Sequence, residues 1–274
     1  MSDPLASYLA RLRLSGHRPA TLRARSVTLT AFAANVAPRT LLEATRDDME
    51  AWLSRPLAPA SRRSYRSTLR SFYAWAVDEG KLTADPSARI PSIRVPRSLP
   101  RPIGSADLER ALATADRRMR VWLLLMALGG LRCLEVAGLR PQDLLAVDSG
   151  HLLFLRDCKG GGTASVPAHP AIMEALAVLP IRDGAWWTVR PGQVSRLANQ
   201  HLRLNGSQSS AHSLRHFAGT SWYRASGHDL LATATLLRHA SVATTQVYAQ
   251  LDPVRPTEVV NAVPRLRLLE ADSA

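Results

Sequence analysis

The sequence predicts a mainly helical protein with two domains and one small antiparallel sheet. Apolar residues recur at helical spacing in the first part of the chain, a proline-rich segment interrupts this pattern at residues 86–104, and a hairpin pattern follows at residues 151–167. The length of 274 residues suits one large domain or two ordinary ones, and a hydrophobic content of 46% supports a real core.

The first domain is predicted to hold four helices. The first has one apolar face, formed by Leu5, Tyr8, Leu9 and Leu12. The second is expected to begin at a Thr21 cap and to point three residues inward, namely Val27, Phe32 and Val36. The third follows an acidic start at Asp47 and Asp48 and is centred on Met49, Trp52 and Leu53.

The fourth helix, predicted over residues 61–80, carries a row of arginines. Arg62, Arg66 and Arg70 follow one another at i+4 steps on one face, with Arg63 beside them. Because no acidic residue lies among them, a surface of salt bridges explains the row poorly. The row instead predicts a stripe that contacts DNA phosphates. Gly80 is expected to end the helix.

Residues 86–104 are predicted to form a basic linker, because they contain five prolines and four arginines. Regular elements do not tolerate prolines at this density. An extended basic segment can follow a DNA backbone. The predicted boundaries are residues 1–88 for the first domain, 89–104 for the linker and 105–274 for the second domain.

The second domain is predicted to be mostly helical, with a hairpin between its helices. Ser105 is expected to cap the first helix, and the next, Met119–Leu128, is apolar nearly all round and therefore buried. Arg132 comes soon after this helix and needs a partner, either Glu135 or a ligand phosphate. The remaining predicted elements are strands at 151–155 and 164–167, a tight turn at 160–162, and helices at 170–179 and 193–204.

The charge and composition favour a nucleic-acid partner. The net charge is +13 and the isoelectric point is near 11.1, which makes a polyanion the expected partner. Two cysteines are too few for a disulfide framework or a zinc site, and the apolar run Val121–Leu128 is too short to span a bilayer. With no signal peptide pattern at its start, the chain is expected in the cytosol, without a membrane partner. All but two of the 35 lysines and arginines are arginine, so Lys81 and Lys159 stand out.

The stretch from residue 212 to residue 248 carries the residues that phosphodiester chemistry needs. On a helix, His212 and Arg215 share one face because residues three apart are neighbours. Arginine holds a phosphate with two parallel hydrogen bonds, and a tyrosine such as Tyr248 can attack phosphorus. Taken singly, these residues are more often solvated or structural. Together, these three residues and the intervening Arg238 and His239 favour a catalytic site.

Four motifs in the same order as in the tyrosine recombinase (phage integrase) family give the chain a resemblance to it. GLR-x-x-E occurs at 130–135, a hairpin pattern CKGGGTASVP at 158–167, His-x-Leu-Arg-His at 212–216 and LRHASVATTQVY at 237–248. The resemblance implies a helical core-binding (SAM-like) domain and a mostly helical catalytic domain with a small sheet. It also implies six catalytic residues, Arg132, Lys159, His212, Arg215, His239 and Tyr248.

The chain departs from the family pattern at a few positions. Arg238 stands where a glycine is usual, and Gly162 and Ala164 replace a basic pair in the hairpin, so a weaker grip on DNA is expected there. The chain starts directly at the core-binding helices, so no additional arm-binding domain is expected. It is therefore similar to Xer-type recombinases and to short integrases of phages or mobile elements.

The resemblance implies a site-specific recombinase that cleaves and rejoins duplex DNA without a metal, cofactor or ATP. Tyr248 would form a 3′-phosphotyrosyl link, the two arginines would hold the phosphate, and Lys159 would protonate the leaving 5′-oxygen. The implied partner is double-stranded DNA with an inverted-repeat core site, bound by a homotetramer in the bacterial cytoplasm. Two alternatives stay open, namely a type IB topoisomerase-like activity and a DNA-binding protein without catalysis.

Overall fold

The computed structural model describes residues 3–96, 99–158, 162–239 and 241–251. The chain divides into two compact units, Met1–Arg97 and Ser98–Ala274. Both units are built mainly from helices, and the second contains one three-stranded sheet among the described residues. The predicted fold class is confirmed.

The first unit is a bundle of four helices, α1 (Pro4–Leu14), α2 (Pro19–Val36), α3 (Arg46–Leu53) and α4 (Pro59–Asp78). A proline begins α1, α2 and α4, where its missing N–H costs no helical hydrogen bond. Thr45 caps α3 through a reciprocal pair of hydrogen bonds with Asp48.

Two details of the predicted second helix are wrong. Thr21 does not cap α2, because Pro19 already occupies its first turn and Arg18 is the capping residue. Val27 is 65% exposed, although Phe32 and Val36 are buried as expected. A single valine facing water is ordinary for a soluble helix, so helical spacing alone did not reveal it.

Aromatic side chains fill the core of the first unit. Phe72 of α4 packs edge-on against Tyr8 at a ring distance of 5.4 Å, and Tyr73 donates a hydrogen bond of 2.7 Å to the carbonyl of Leu41. Both tyrosines therefore satisfy their hydroxyls while their rings stay buried. At the end of α4, the ammonium of Lys81 lies 5.7 Å from the centre of the Trp75 ring.

The second unit contains eight further helices among its described residues. They are α5 (Ser105–Ala113), α6 (Arg117–Ala127), α7 (Cys133–Gly138), α8 (Pro170–Ala177), α9 (Pro191–Leu204), α10 (Ala211–Ala225), α11 (Leu230–Leu237) and α12 (Gln246–Leu251). Gly104, rather than Ser105, is the capping residue of α5. Helix α6 is buried from Val121 to Ala127 and packs against α8 and α10, which fixes the orientation of α10.

The sheet consists of antiparallel strands β1 (Leu144–Val147), β2 (Gly150–Leu155) and β3 (Ala164–Pro167), in that order. Strands β2 and β3 match the predicted hairpin, in which Leu153 pairs with Val166. Strand β1 was not predicted. Its four residues are half-buried or exposed, so they lack the alternation that marks a strand in a sequence.

No helix within the described parts of the chain has the length and apolar character needed to cross a membrane. Neither Cys133 nor Cys158 forms a disulfide bond.

Candidate active site

Helix α10 carries three of the motif residues on one face. His212 and His216 lie one turn apart, and their rings meet edge-on with 4.4 Å between centres. Arg215 lies between them in sequence and is only 3% exposed. The predicted helical placement of the His-x-x-Arg pair is therefore correct.

The guanidinium of Arg215 is anchored by backbone oxygens from two other segments. It donates hydrogen bonds to the carbonyl of Gly130, between α6 and α7, and to the carbonyl of Leu237, at the end of α11. These two bonds occupy the two terminal nitrogens and fix the direction of the guanidinium plane. Arg215 thereby joins three parts of the second unit at one point.

A buried carboxylate holds two further arginines beside Arg215. Glu135 accepts a hydrogen bond of 3.0 Å from the side chain of Arg132 on one oxygen, and one of 2.8 Å from Arg238 on the other. The backbone N–H of Arg132 also donates to Glu135, at 2.7 Å. Arg132, Arg215 and Arg238 are called the arginine cluster below. Of the two partners that the sequence left open for Arg132, the described contact is with Glu135.

The arginine cluster contains more positive charge than Glu135 can balance. Burial, followed by the charges of Arg132 and Arg238, lowers the pKa of Arg215 to about 9. Burial, followed by the charge of Arg215, lowers the pKa of His239 to about 4. A bound phosphate would relieve this repulsion, because it brings negative charge to a site where cations are crowded and poorly solvated.

Tyr248 of α12 is buried against α10. Its side chain is 2% exposed, and its hydroxyl lies 3.2 Å from Nδ1 of His216. Burial lowers the pKa of His216 to about 4 and raises the pKa of Tyr248. The pair is therefore neutral near pH 7, and the neutral imidazole can accept a hydrogen bond from the phenol.

Gly219 provides the space in which the Tyr248 ring lies. A Cβ built on Gly219 would lie 2.6 Å from the hydroxyl oxygen of Tyr248 and still closer to its ring. Glycine lowers helix stability in the interior of α10, so this close approach explains its presence. The described hydroxyl is thus held on the α10 side of the site.

The predicted catalytic residues that the structure describes line one cavity of about 560 Å³. His239, which follows α11, contributes its ring and is held by a 2.8 Å hydrogen bond between Nδ1 and the hydroxyl of Thr245. The candidate catalytic residues along the wall are Arg132, His212, Arg215, His239 and Tyr248. Arg101, from the segment predicted as a basic linker, also lies on this wall.

Lys159 lies outside the described residues, so its role as general acid stays a prediction from the sequence. The residue before it, Cys158, is buried at the end of the hairpin, where its N–H donates 2.9 Å to the carbonyl of Gly162. Burial raises the pKa of this thiol, and the negative charge of Glu135 raises it further. The hairpin strand β2 therefore leads into the neighbourhood of the arginine cluster.

In the first unit, three of the four predicted DNA-contacting arginines bind backbone carbonyls of the same unit. The pairs are Arg62 with Leu53 and Arg55, Arg66 with Ile90, and Arg70 with Ser87 and Ala88. Arg63 is exposed and makes no hydrogen bond or ion pair with another described residue. The contacts of Arg66 and Arg70 tie the chain after α4 to the helix, and those of Arg62 tie the chain before it. The row therefore has a structural role that its i+4 spacing did not reveal.

Sequence reasoning gave no role of their own to His216 and Gly219, and it counted Arg238 in the site without finding its partner. His216 belongs to the His-x-Leu-Arg-His motif, and a glycine inside an otherwise helical pattern often marks a close approach. Both signals were present in the sequence. The contact of Arg238 with Glu135 joins residues 103 positions apart, so it could be found only in the fold.

Comparisons with known proteins place this site in a family. Residues 5–80 match the phage integrase N-terminal SAM-like domain. A tyrosine recombinase XerC from Erythrobacter litoralis is 31% identical over 227 residues, covering 75% of this chain and 73% of the relative. A tyrosine recombinase XerD from Caulobacter vibrioides is 30% identical, covering 77% of this chain and 78% of the relative.

Solved structures share the fold at lower identity. A lambda integrase dimer bound to a COC′ core site matches with a TM-score of 0.72 and 19% identity, covering 89% of this chain and 75% of that chain. The XerH recombinase in its post-cleavage complex matches with a TM-score of 0.66 and 17% identity, covering 88% and 78%.

The fold and the sequence matches show that this protein is a site-specific DNA recombinase. The chain belongs to the tyrosine recombinase family, and the curated relatives named above are of the Xer type.

Proposed function

We propose that this protein cleaves and rejoins duplex DNA at a specific site through a 3′-phosphotyrosyl intermediate formed by Tyr248. The observation that carries the proposal is the cavity that Tyr248 lines together with two arginines and three histidines of the motifs. The unit Met1–Arg97 would serve as the core-type DNA-binding domain and the unit Ser98–Ala274 as the catalytic domain.

The chemistry follows from the charges of the site. Arg132 and Arg215 hold the non-bridging oxygens of the scissile phosphate as negative charge builds up on them. His239 adds a hydrogen bond to the phosphate, and His212 handles the proton of the tyrosine. Lys159 protonates the 5′-oxygen, which leaves as a hydroxyl when the tyrosine oxygen bonds to phosphorus. The phosphotyrosine preserves the bond energy, so a 5′-hydroxyl can attack it and restore the DNA.

The buried tyrosine has to move before it can react. Its hydroxyl is bound to Nδ1 of His216 and is almost inaccessible, whereas in-line attack requires it beside a phosphate on Arg132 and Arg215. We therefore propose that DNA binding draws Tyr248 away from His216. The mutual repulsion of the arginine cluster favours the binding of the phosphate, because the incoming negative charge neutralises it.

The proposed partner is double-stranded DNA with an inverted-repeat core site, and the proposed active assembly is a tetramer of this chain. The net charge of +13 supports a DNA partner. Structural neighbours support the assembly, since lambda integrase has been solved as a tetramer bound to a Holliday junction and XerH bound to a palindromic difH substrate. Such a partner implies that the protein acts in the bacterial cytoplasm, encoded by the host or by a phage or mobile element.

Replacing Tyr248 with phenylalanine tests the proposal. Nicked suicide substrates that cannot be rejoined should trap the wild-type protein as a covalent adduct in a denaturing gel. Tyr248→Phe should bind the same DNA with unchanged affinity and form no adduct, because it lacks the attacking oxygen. An adduct with the variant would overturn the assignment of the nucleophile. Relaxation of a supercoiled plasmid without any specific site would instead indicate topoisomerase-like activity.

A further inference from the structure

Arg238 occupies a backbone position that suits glycine. It follows α11 with φ of 54° and ψ of 47°, in the left-handed region that costs side chains other than glycine about 1 kcal/mol or more. Its Nε is buried and has no hydrogen-bond partner among the described residues. The fold thus tolerates two unfavourable features at this residue, which calls for a compensating role.

The contacts of Arg238 lead directly to the phosphate-holding residues. Its Nη2 donates a hydrogen bond of 2.8 Å to one oxygen of Glu135, and the other oxygen accepts one from the side chain of Arg132. The same nitrogen donates 3.1 Å to the carbonyl of Gly130, which also accepts a hydrogen bond from Arg215. Arg238 therefore shares one acceptor with Arg132 and another with Arg215.

These shared acceptors make the arrangement of the two arginines depend on Arg238. Arg132 binds both oxygens of Glu135, one with its side chain and the other with its backbone N–H, and Arg238 adds a donor from a different segment of the chain. A carboxylate held by donors from two segments has less freedom to tilt than one held by a single residue. With Glu135 fixed, the guanidinium of Arg132 has a single direction. The side chain of Arg238 is 9% exposed and so holds these groups from the buried side, leaving the cavity side to the substrate.

We propose that Arg238 is a positioning residue for DNA cleavage, which fixes Arg132 through Glu135 and supports Arg215 through the carbonyl of Gly130. The inference rests on the proposed roles of Arg132 and Arg215. It assigns to this chain a third guanidinium where a glycine is usual in the family.

Charge neutralisation of Glu135 is the competing explanation for Arg238. Removing Arg238 would still leave Glu135 paired with Arg132, at 3.0 Å. The buried carboxylate would therefore not become an unpaired charge, whose cost is otherwise large. A glycine at position 238 would also relieve the left-handed backbone. For both reasons Arg238→Gly should fold, and its effect can be measured on the reaction.

The experiment compares Arg238→Gly with the wild-type protein in single-turnover cleavage of a suicide substrate. We expect unchanged DNA affinity and a cleavage rate lower by about tenfold to a hundredfold, the cost of misplacing a catalytic group by about 1 Å. Arg238→Lys keeps the charge but has one terminal nitrogen instead of two, so it cannot serve Glu135 and Gly130 while a second nitrogen binds the carbonyl of Leu236. This variant should recover only part of the rate. The matched control is Asp183→Gly, which relieves a left-handed residue (φ 51°) in an exposed turn and should cleave like the wild type.

A substrate change separates positioning from a general structural effect. A methylphosphonate at the scissile position replaces one non-bridging oxygen by a methyl group. An arginine that stabilises the charge on that oxygen then no longer accelerates cleavage. If Arg238 acts through Arg132, the deficits of Arg238→Gly and Arg132→Ala should both shrink on the same methylphosphonate diastereomer. On ordinary DNA, adding Arg238→Gly to Arg132→Ala should then slow cleavage by a smaller factor than Arg238→Gly does alone, and the remainder is the part that acts through Arg215.

Two results would overturn the inference. One is a wild-type cleavage rate for Arg238→Gly, and the other is a deficit that is equal on phosphate and on both methylphosphonate diastereomers. Failure of the underlying function looks different. In that case the wild-type protein forms no adduct, or Arg132→Ala cleaves as fast as the wild type, whatever residue stands at position 238.

Discussion

At the scale of single residues, Glu135 organises the charges of the active site. One buried carboxylate orients Arg132 and Arg238, and the surplus positive charge is left for a ligand. The site therefore resembles a phosphate pocket in which the protein supplies the cations in advance. Preorganised charge of this kind stabilises a transition state without reorganisation at the moment of reaction.

Lys159 gives the first prediction at this scale. The leaving 5′-alkoxide needs a proton, which lysine, with an ordinary pKa of about 10.4, donates far better than arginine at about 12.5 or above. Lys159→Arg should therefore keep DNA affinity and cleave slowly. Replacing the bridging 5′-oxygen with sulfur removes the need for the proton, because a thiolate leaves readily. The sulfur substrate should restore most of the rate, and equal slowness on both substrates would mean that another residue is the acid.

At the scale of secondary-structure elements, the packing of α10 against α12 determines where Tyr248, the proposed nucleophile, rests. Gly219 in the middle of α10 admits the Tyr248 ring, and His216 one turn earlier binds its hydroxyl. Both helices contribute to the small cluster that Tyr223, Leu237 and Tyr248 form. The resting position of the tyrosine is thus a property of two helix faces.

Gly219→Ala gives the prediction at this scale. Alanine in a helix interior normally stabilises by about 1 kcal/mol relative to glycine. Here the added methyl meets the Tyr248 ring, and overpacking should destabilise the protein by about 1–3 kcal/mol, seen as a lower midpoint of urea unfolding. The same change in a Tyr248→Ala background should be neutral or stabilising, because the ring is gone. A loss of stability in that background would mean that the methyl clashes elsewhere.

The elements also show which features the sequence could predict. Local patterns were enough for the helix with His212 and Arg215 and for the β2–β3 hairpin, because their signals lie within a few residues. Contacts between distant residues were not predictable. Arg66 binds the carbonyl of Ile90, 24 residues later, so a row that looked free for phosphates is partly engaged by the chain itself. The left-handed backbone of Arg238 was equally hidden, because only its unusual residue type hinted at it.

At the scale of the whole molecule, the charge of +13 has to be distributed between structure and DNA. Arg62, Arg66 and Arg70 already donate to backbone carbonyls, so replacing them would disturb the first unit as well as any contact with DNA. Arg63 is exposed and makes no such contact with another described residue. It is therefore the residue of the row with which DNA binding can be tested cleanly.

Arg63→Gln should weaken DNA binding and leave stability unchanged. One lost phosphate contact reduces the slope of log K against log salt by about one unit and affects all DNA sequences alike. Titrations at several salt concentrations measure this slope. Arg46→Gln is the matched control. That exposed arginine lies on α3 of the same unit and is paired with Glu50 of its own helix. A slope for Arg63→Gln equal to that of the wild type would show that Arg63 faces away from the DNA.

The exposed position of Lys81, just after α4, has a practical consequence for chemical labelling. The sequence contains only two lysines, and Lys81 lies exposed in the first unit, whereas the motif residues belong to the second. Under trace acetylation with an isotopically coded anhydride, Lys81 serves as a reference amine within the same molecule as Lys159. The ratio of the two acetylated peptides, followed by mass spectrometry as the pH is raised, cancels differences in reagent and recovery. The protein thus carries its own standard for measuring when Lys159 gives up its proton.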